Sequence, residues 1–209
     1  MSKVTIPQLH EMKRAGDKIF GVVAWDTHMA AIADRVGVEI VSVGDTVGKN
    51  LWGHETIMEI TMDEMITVTR AARRGVTNAL LSADFPFGPL QEGVDAAVAA
   101  AIRFVKEAGV DLIKLDGAAD YPEAVEALTR AGIPVWAQFG LTPQTALVMG
   151  IPYENQAGDG ADVVAEMEDR MLSDALMLEK AGAVLLDFTN SGPVVGPKVV
   201  EAVNIPVIG

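Results

Sequence analysis

The sequence predicts an α/β fold of the (β/α)8 barrel type. Short apolar runs alternate with segments of helical periodicity along the 209 residues, a pattern typical of right-handed βαβ units that build a parallel sheet. The apolar runs are rich in Val, Ile and Leu without interruption, as in parallel strands buried on both faces. Aspartates stand at or near the ends of four runs, where barrel enzymes place their catalytic residues.

The predicted elements follow one another in regular order. The strands are the apolar runs, at 19–25, 38–44, 79–83, 111–115, 134–139, 183–188 and 205–208. The helices are segments in which apolar residues recur every three or four positions, at 6–15, 28–36, 62–74, 93–108, 121–131, 163–180 and 197–202. Two of these helices begin with a predicted capping pair, Thr61 with Glu64 and Asp120 with Glu123.

These strands are one fewer than a closed barrel needs, and the sequence ends at Gly209 directly after the apolar run IPVIG. An open last strand would expose unpaired backbone groups, which natural proteins cover or pair. We therefore expect either that a C-terminal part of the chain has been removed or that a partner supplies the eighth strand, and we favour removal. Residues 1–209 are expected to form one barrel domain.

Composition excludes several classes of function. The net charge of −13 argues against a nucleic-acid partner, which would require a basic surface. The absence of cysteine excludes disulfides, thiolate metal sites and a cysteine nucleophile. The sequence has neither a long uncharged apolar segment nor a signal pattern, so we expect a soluble cytoplasmic protein with no membrane partner.

The four aspartates at strand ends are Asp45, Asp84, Asp116 and Asp187. Mg²⁺ prefers oxygen ligands and usually takes only one or two carboxylates, which leaves positions for water and substrate. Each aspartate could instead cap the helix that follows it. For a single aspartate both interpretations stay open, but four together favour a metal site.

Several segments carry a resemblance to a known family. They are VSVGDTVG at 41–48, GHE at 53–55, RRGVTNALLSADFPF at 73–87, IKLDG at 113–117, GLTPQT at 140–145 and LSDALMLEKAGAVLL at 172–186. In this order they resemble ketopantoate (3-methyl-2-oxobutanoate) hydroxymethyltransferases of pantothenate biosynthesis, within the phosphoenolpyruvate/pyruvate barrel superfamily. The resemblance implies Mg²⁺, a small 2-oxo acid substrate, 5,10-methylenetetrahydrofolate as co-substrate, a homo-oligomer, and a chain that continues beyond residue 209.

The resemblance also implies roles for particular residues. Asp45 and Asp84 match the two Mg²⁺ ligands of the family, and Asp116 stands where the family has a glutamate near the metal. Thr46 replaces a serine that holds the substrate carboxylate, and it keeps the hydroxyl group. These four residues are the implied binding site for metal and carboxylate.

Two further positions are implied to contact substrate. Lys114 matches a substrate-binding lysine, although a lysine one residue before a strand end could also extend its ammonium group to the surface. Gln138 replaces a histidine, so a hydrogen bond remains possible while proton transfer through an imidazole is lost.

The most consequential departure from the family is Thr189, which occupies the position of the catalytic glutamate. An alcohol cannot serve as a general base near neutral pH. Asp187 lies two residues earlier, on the same face of the strand and about 7 Å deeper at roughly 3.3 Å per residue. It is either a substitute base or a buried carboxylate paired with Lys114.

Three hypotheses of function follow. The first is an Mg²⁺-dependent hydroxymethyltransferase that acts through an enolate of a branched 2-oxo acid. The second is a carbon–carbon lyase, aldolase or decarboxylase acting on a 2-oxo acid, which would not need a glutamate at position 189. The third is a non-catalytic barrel, which the retained Asp45, Asp84 and Lys114 argue against. The Gly-rich loop at 153–162 is interpreted as either a lid over the barrel or a plain connection.

Overall fold

The computed structural model describes residues 3–151 and 167–209. Within them, seven parallel strands form one curled sheet whose spatial order follows the chain from β1 to β7. The strands are β1 Gly21–Val23, β2 Ile40–Val43, β3 Leu80–Asp84, β4 Leu112–Leu115, β5 Val135–Gly140, β6 Leu185–Thr189 and β7 Val207–Ile208. The predicted barrel-type α/β class is confirmed.

Helices connect successive strands. They are α1 Ile6–Ala15, α2 Thr27–Val36, α3 Val47–Trp52, α4 Met62–Arg73, α5 Val94–Arg103, α6 Pro122–Arg130, α7 Glu168–Lys180 and α8 Gly192–Ala202. Short 3-10 turns lie at Ile57–Glu59, Ala118–Asp120 and Ala146–Met149, and a π-helical turn at Phe104–Ala108 continues α5. No helix in the described ranges is long and apolar enough to cross a membrane.

The predicted helices need two corrections, and a third prediction is tested only in part. The last helix begins at Gly192 rather than at 197, because Pro193 fits the first turn, where its missing N–H is not needed. The six-residue helix α3 was not predicted, since it is short and contains Gly48. The described part of the predicted helix at 163–180 begins at Glu168, and residues 163–166 lie outside the described residues.

The two predicted capping pairs have different outcomes. The capping box of Thr61 with Glu64 is confirmed, with the Glu64 carboxylate accepting from the Thr61 N–H at 2.8 Å. The pair of Asp120 with Glu123 is wrong, because the N-cap of α6 is Tyr121. The Asp120 carboxylate lies 3.6 Å from Arg170 instead, so an ion pair has replaced the expected cap.

The inward-facing side chains of the sheet form layers of different polarity. At the amino-terminal end the layer is apolar, and α1 covers it by inserting Leu9; its buried members are Leu9, Ile40, Leu80, Leu112, Trp136 and Leu185. One layer higher, the hydroxyl groups of Ser42 and Ser82 are hydrogen-bonded at 2.8 Å. Because α1 and the apolar layer exclude water from below, the polar side chains above them meet solvent at the carboxyl end of the sheet.

Strand β6 begins two residues later than predicted, at Leu185, and ends one residue later, at Thr189. Thr189 pairs with Gly140 of β5, and Asp187 pairs with Gln138. Asp187 therefore lies two residues before the end of the strand, near its end as the apolar run predicted. Its side chain shares the inward face with Thr189, since strand residues two apart point the same way.

The carboxylate of Asp34 in α2 is hydrogen-bonded to the two residues that precede β3. Its carboxylate accepts hydrogen bonds from the N–H groups of Asn78 at 2.8 Å and Ala79 at 2.7 Å. Burial alone would raise the pKa of Asp34, but these hydrogen bonds, with others from Thr77 and the Asn78 side chain, outweigh burial and lower it. The Asp34 carboxylate thus stabilises the fold in its ionised form.

We expect Asp34→Ala to lower the free energy of unfolding by about 2 to 3 kcal/mol, because two buried N–H groups lose a charged acceptor. Chemical denaturation at pH 7 measures this loss, with the exposed Asp17→Ala as control. The contribution of Asp34 is present above its unfolded pKa of about 3.9 and is lost as the pH falls through the lower folded value. Equal losses in the two variants at pH 7 would contradict this role.

Candidate functional site

The predicted aspartates gather at the carboxyl end of the sheet. Asp84 is the last residue of β3, while Asp45 and Asp116 follow β2 and β4. All three are buried, with exposed fractions of 6% for Asp45, 8% for Asp84 and 5% for Asp116. Neither these three nor Asp187 is the N-cap of a described helix, so the capping alternative is wrong for all four.

Asp45 and Asp84 form a buried pair of like charges. The backbone N–H of Asp45 donates to the Asp84 carboxylate, which brings the two residues into contact. Burial first, then the charges of Asp84 and Asp116, raise the pKa of Asp45 to about 8. Burial also raises the pKa of Asp84, although the nearby Lys114 ammonium opposes this. Without a compensating cation, the pair resists full ionisation at neutral pH.

The donor set suits a divalent cation held by few protein ligands. Among residues 3–151 and 167–209, no group of three or more His, Cys, Asp or Glu side chains is arranged to hold a metal ion. The pair of Asp45 and Asp84 remains, and Mg²⁺ commonly binds through only one or two carboxylates. Oδ1 of Asp84 is buried without a hydrogen-bond partner, as expected for an oxygen that faces a cation.

Asp116 faces the loop after β5. Its carboxylate accepts from the backbone N–H of Gln144 at 3.3 Å and from the Thr142 hydroxyl, while burial raises its pKa to about 6. Oδ1 of Asp116, like that of Asp84, is buried without a hydrogen-bond partner, so a role for Asp116 beside the metal stays a prediction. The Asp116 carboxylate also adds negative charge beside Asp45.

Lys114 lies inside the sheet, between two carboxylates. Its Nζ is 2.9 Å from Oδ2 of Asp187 and 3.5 Å from Oδ2 of Asp84, and the ammonium stands 5.4 Å above the ring of Trp136. Burial alone would lower the pKa of Lys114, but the two carboxylates outweigh it and raise the pKa. The side chain is only 14% exposed, so the alternative of a surface lysine is wrong.

Gln138, Thr189 and Asp187 form a chain of hydrogen bonds that leads to Lys114. Nε2 of Gln138 donates to the Thr189 hydroxyl at 2.8 Å, and that hydroxyl lies 3.5 Å from Oδ1 of Asp187. Asp187 is thus the carboxylate paired with Lys114 that the sequence left as one of two possibilities, and it also adjoins Thr189. Thr189, at the position of the family's glutamate, is therefore in contact with the carboxylate of Asp187, two residues earlier.

Sequence reasoning assigned no role to two residues of this site. The ring of Trp136 lies beneath the Lys114 ammonium. Its position two residues before Gln138, on the same inward face of β5, was the sequence signal that could have placed it near the site. Gln144 contacts the carboxylate cluster, and the signal was its place in the GLTPQT segment. The loop at 153–162, interpreted as a possible lid, lies outside the described residues.

Comparison with known proteins agrees with the arrangement of these residues. The sequence profile of the family described as ketopantoate hydroxymethyltransferase matches residues 3–209. A 3-methyl-2-oxobutanoate hydroxymethyltransferase of Cyanothece sp. is 39% identical over 210 residues, which cover 99% of this chain and 77% of that protein. The enzyme of the same name from Anaeromyxobacter sp. is 41% identical over 191 residues, which cover 88% of this chain and 61% of the relative.

Solved structures share the fold at low sequence identity. A phosphonopyruvate hydrolase in complex with oxalate and Mg²⁺ has a TM-score of 0.69 and 15% identity, and the match covers 99% of this chain and 71% of that one. A 2,3-dimethylmalate lyase of the PEP mutase/isocitrate lyase superfamily has a TM-score of 0.65 and 13% identity, over 98% of this chain and 70% of that one. These two likenesses show the fold alone, whereas the family profile and the relatives above show that the chain belongs to the ketopantoate hydroxymethyltransferase family.

Proposed function

We propose that this chain transfers a hydroxymethyl group to a branched 2-oxo acid, with 3-methyl-2-oxobutanoate as the first substrate to test. The observation that carries the proposal is the buried carboxylate pair of Asp45 and Asp84, with the Lys114 ammonium 3.5 Å from Asp84. Such a site suits an acidic carbon next to a carbonyl, because positive charge can stabilise the enolate that forms on proton loss. Family membership supports the same chemistry.

We assign the cation to Asp45 and Asp84 and take Mg²⁺ as its identity. When bound there, Mg²⁺ would supply Lewis-acid stabilisation of the negative charge that develops on the substrate oxygens. The burial that raises the pKa values of the two carboxylates also strengthens their attraction for a divalent ion, because little water screens it.

The residues around the carboxylate pair bind and orient the substrate. The Thr46 hydroxyl follows Asp45 directly, at a site suited to the substrate carboxylate. Lys114 stays protonated, so it acts as a fixed positive charge and neither as a base nor as a nucleophile. Gln138 donates a hydrogen bond to Thr189 at 2.8 Å and keeps its carbonyl oxygen as an acceptor.

The proposed reaction begins with loss of the C3 proton. This proton passes to Asp187, and the electron pair of the C–H bond forms the enolate. Water converts 5,10-methylenetetrahydrofolate to tetrahydrofolate and formaldehyde: both C–N bonds of the methylene carbon break, the oxygen of water joins that carbon, and the two protons of water pass to N5 and N10. C3 then attacks the formaldehyde carbon, and the proton held by Asp187 passes to the formaldehyde oxygen, which becomes the new hydroxyl group. Asp187 is the proposed proton acceptor because its carboxylate lies 3.5 Å from the hydroxyl of Thr189, where the family has a glutamate.

We expect Thr189→Glu to raise the rate of C3 proton exchange in 3-methyl-2-oxobutanoate, and Asp187→Asn to lower it. A positioned general base contributes about 10²- to 10⁴-fold, so a restored glutamate should recover part of that range. ¹H NMR in D₂O at neutral pH measures both rates, with Thr189→Gln as the control of matched size. An exchange rate unchanged by Asp187→Asn would remove Asp187 as the base.

One observation favours a second function on the same site. The Thr189 hydroxyl cannot act as a general base, whereas a carbon–carbon lyase or decarboxylase forms its enolate by bond cleavage and needs no base at that position. Lys114 and the carboxylate pair would serve that reaction equally well. The alternative is therefore a lyase that acts on a different 2-oxo acid.

A single NMR experiment separates the two functions. The purified chain is incubated with Mg²⁺, 3-methyl-2-oxobutanoate and 5,10-methylenetetrahydrofolate labelled with ¹³C at the methylene carbon. Under the proposed function, the label enters a new hydroxymethyl group attached to a quaternary carbon, and the Asp84→Asn variant forms none. The same incubation is repeated with other 2-oxo acids. No label transfer to 3-methyl-2-oxobutanoate, together with cleavage or decarboxylation of another 2-oxo acid, would replace the proposal with the lyase.

A further inference from the structure

Gln144 occupies the loop after β5 and reaches the carboxylate cluster from above. Its backbone N–H donates to Oδ2 of Asp116 at 3.3 Å. Its side-chain Nε2 lies 3.4 Å from the carbonyl oxygen of Phe85, and its side chain is also hydrogen-bonded to Asp45. This one residue therefore contacts Asp45 after β2, Phe85 directly after Asp84 of β3, and Asp116 after β4.

The loop that carries Gln144 is itself held in one conformation. The hydroxyl groups of Thr142 and Thr145 are hydrogen-bonded to each other at 2.8 Å, and the Thr145 N–H donates to the Thr142 carbonyl at 3.1 Å. Thr142 is 1% exposed, so this turn is anchored in the core. A side chain on such a turn keeps a fixed position relative to the sheet, as a positioning residue requires.

The amide group of Gln144 suits the task of orienting Asp45. Its NH₂ has two hydrogens, which match two acceptors, the Phe85 carbonyl and the Asp45 carboxylate. A donor on a fixed turn holds the Asp45 carboxylate in one rotamer, and loss of that donor would leave the side chain free to rotate. Partners of this kind that hold a metal-binding carboxylate typically account for about 10- to 100-fold in metal affinity or activity.

We propose that Gln144 is a positioning residue that holds Asp45 in the orientation needed to bind the divalent cation. The inference rests on the proposed function, since it takes Asp45 and Asp84 as the cation ligands. Gln144 acts through Asp45 and touches neither the cation nor the reacting atoms. Its side chain therefore controls how tightly the cation binds rather than the rate of the reaction once the site is filled.

Gln144→Leu removes both side-chain hydrogen bonds at similar size and leaves the backbone N–H to Asp116 in place. We expect Mn²⁺, titrated into the purified chain and followed by EPR, to bind about 10- to 100-fold more weakly. Turnover should return towards the wild-type rate at saturating Mn²⁺. The Mn²⁺ concentration needed for half-maximal turnover therefore rises, while kcat changes little. The thermal midpoint measured in EDTA should stay near that of the wild type.

Gln91→Leu is the matched control, because Gln91 also supports a loop at this end of the sheet, accepting from the Gly88 N–H at 2.8 Å. It should leave Mn²⁺ affinity unchanged, and Gln144→Met provides a second variant should Gln144→Leu fail to fold. Wild-type affinity in the Gln144 variants, or an equal loss in Gln91→Leu, would overturn the inference and leave the proposed function intact. A wild-type chain that binds no Mn²⁺ would remove both.

Discussion

Asp45→Asn is expected to abolish cation-dependent turnover without destabilising the cation-free fold. Burial first and Asp84 second raise the pKa of Asp45 to about 8, so the folded protein without cation holds Asp45 largely protonated at pH 7. The unfolded chain holds the same group ionised, so the wild type must take up a proton on folding, whereas asparagine is neutral in both states. The free energy of unfolding in EDTA should therefore be at least as high in the variant as in the wild type.

Mg²⁺ should stabilise the folded wild type but not the variants that lack a proposed ligand. A ligand that binds only the folded state stabilises it by about 2.7 kcal/mol at a concentration of 100 times its Kd. We expect Mg²⁺ to raise the thermal midpoint of the wild type, and to leave that of Asp45→Asn and Asp84→Asn unchanged. Asp95→Asn, an exposed change on α5, serves as control and should respond as the wild type does. An equal Mg²⁺ response in all four proteins would remove Asp45 and Asp84 as ligands.

Lys114→Met is expected to lower both stability and turnover. The ammonium lies between the largely buried carboxylates of Asp187 and Asp84, at 2.9 Å and 3.5 Å. Breaking a buried ion pair by removing one partner typically costs 3 to 5 kcal/mol, roughly, because the remaining charge is left uncompensated. Denaturant unfolding at pH 7 measures this loss, and the exposed Lys106→Met should change the unfolding free energy by less than about 0.5 kcal/mol.

A double variant tests whether the lost stability comes from uncompensated charge. Lys114→Met combined with Asp187→Asn removes one of the uncompensated charges, so part of the lost stability should return. Turnover of the folded protein should stay low, because the double variant lacks both the positive charge beside the carboxylate pair and the proposed base, Asp187. Recovery of turnover together with stability would show that neither Lys114 nor Asp187 is needed for the reaction.

The fold was predictable because strand and helix signals are strong in this chain. The apolar runs that became β2 to β6 are buried on both faces, and such runs leave little ambiguity. Errors fell at element ends, where tertiary contacts decide. Asp120 is a residue type that often caps helices, yet its carboxylate is ion-paired with Arg170, which is distant in sequence. The start of α8 was misplaced although Pro193 signalled it.

The site was predictable in part, for a similar reason. Strand ends brought Asp45, Asp84 and Asp116 together, since parallel strands finish at the same edge of a sheet. The ion pair of Lys114 with Asp187 was one of two possibilities in the sequence, and the register between β4, β5 and β6 decides it. The role of Gln144 depends on a loop conformation, which local sequence patterns do not specify.

The measurement that tests the account most directly is C3 proton exchange in 3-methyl-2-oxobutanoate, followed by ¹H NMR in D₂O with and without Mg²⁺. Exchange reports enolate formation alone and needs no one-carbon donor. We expect exchange by the wild type with Mg²⁺, its loss on addition of EDTA, and its absence in Asp45→Asn and Asp84→Asn. Exchange that persists in EDTA or in these variants, or no exchange under any condition, would contradict it.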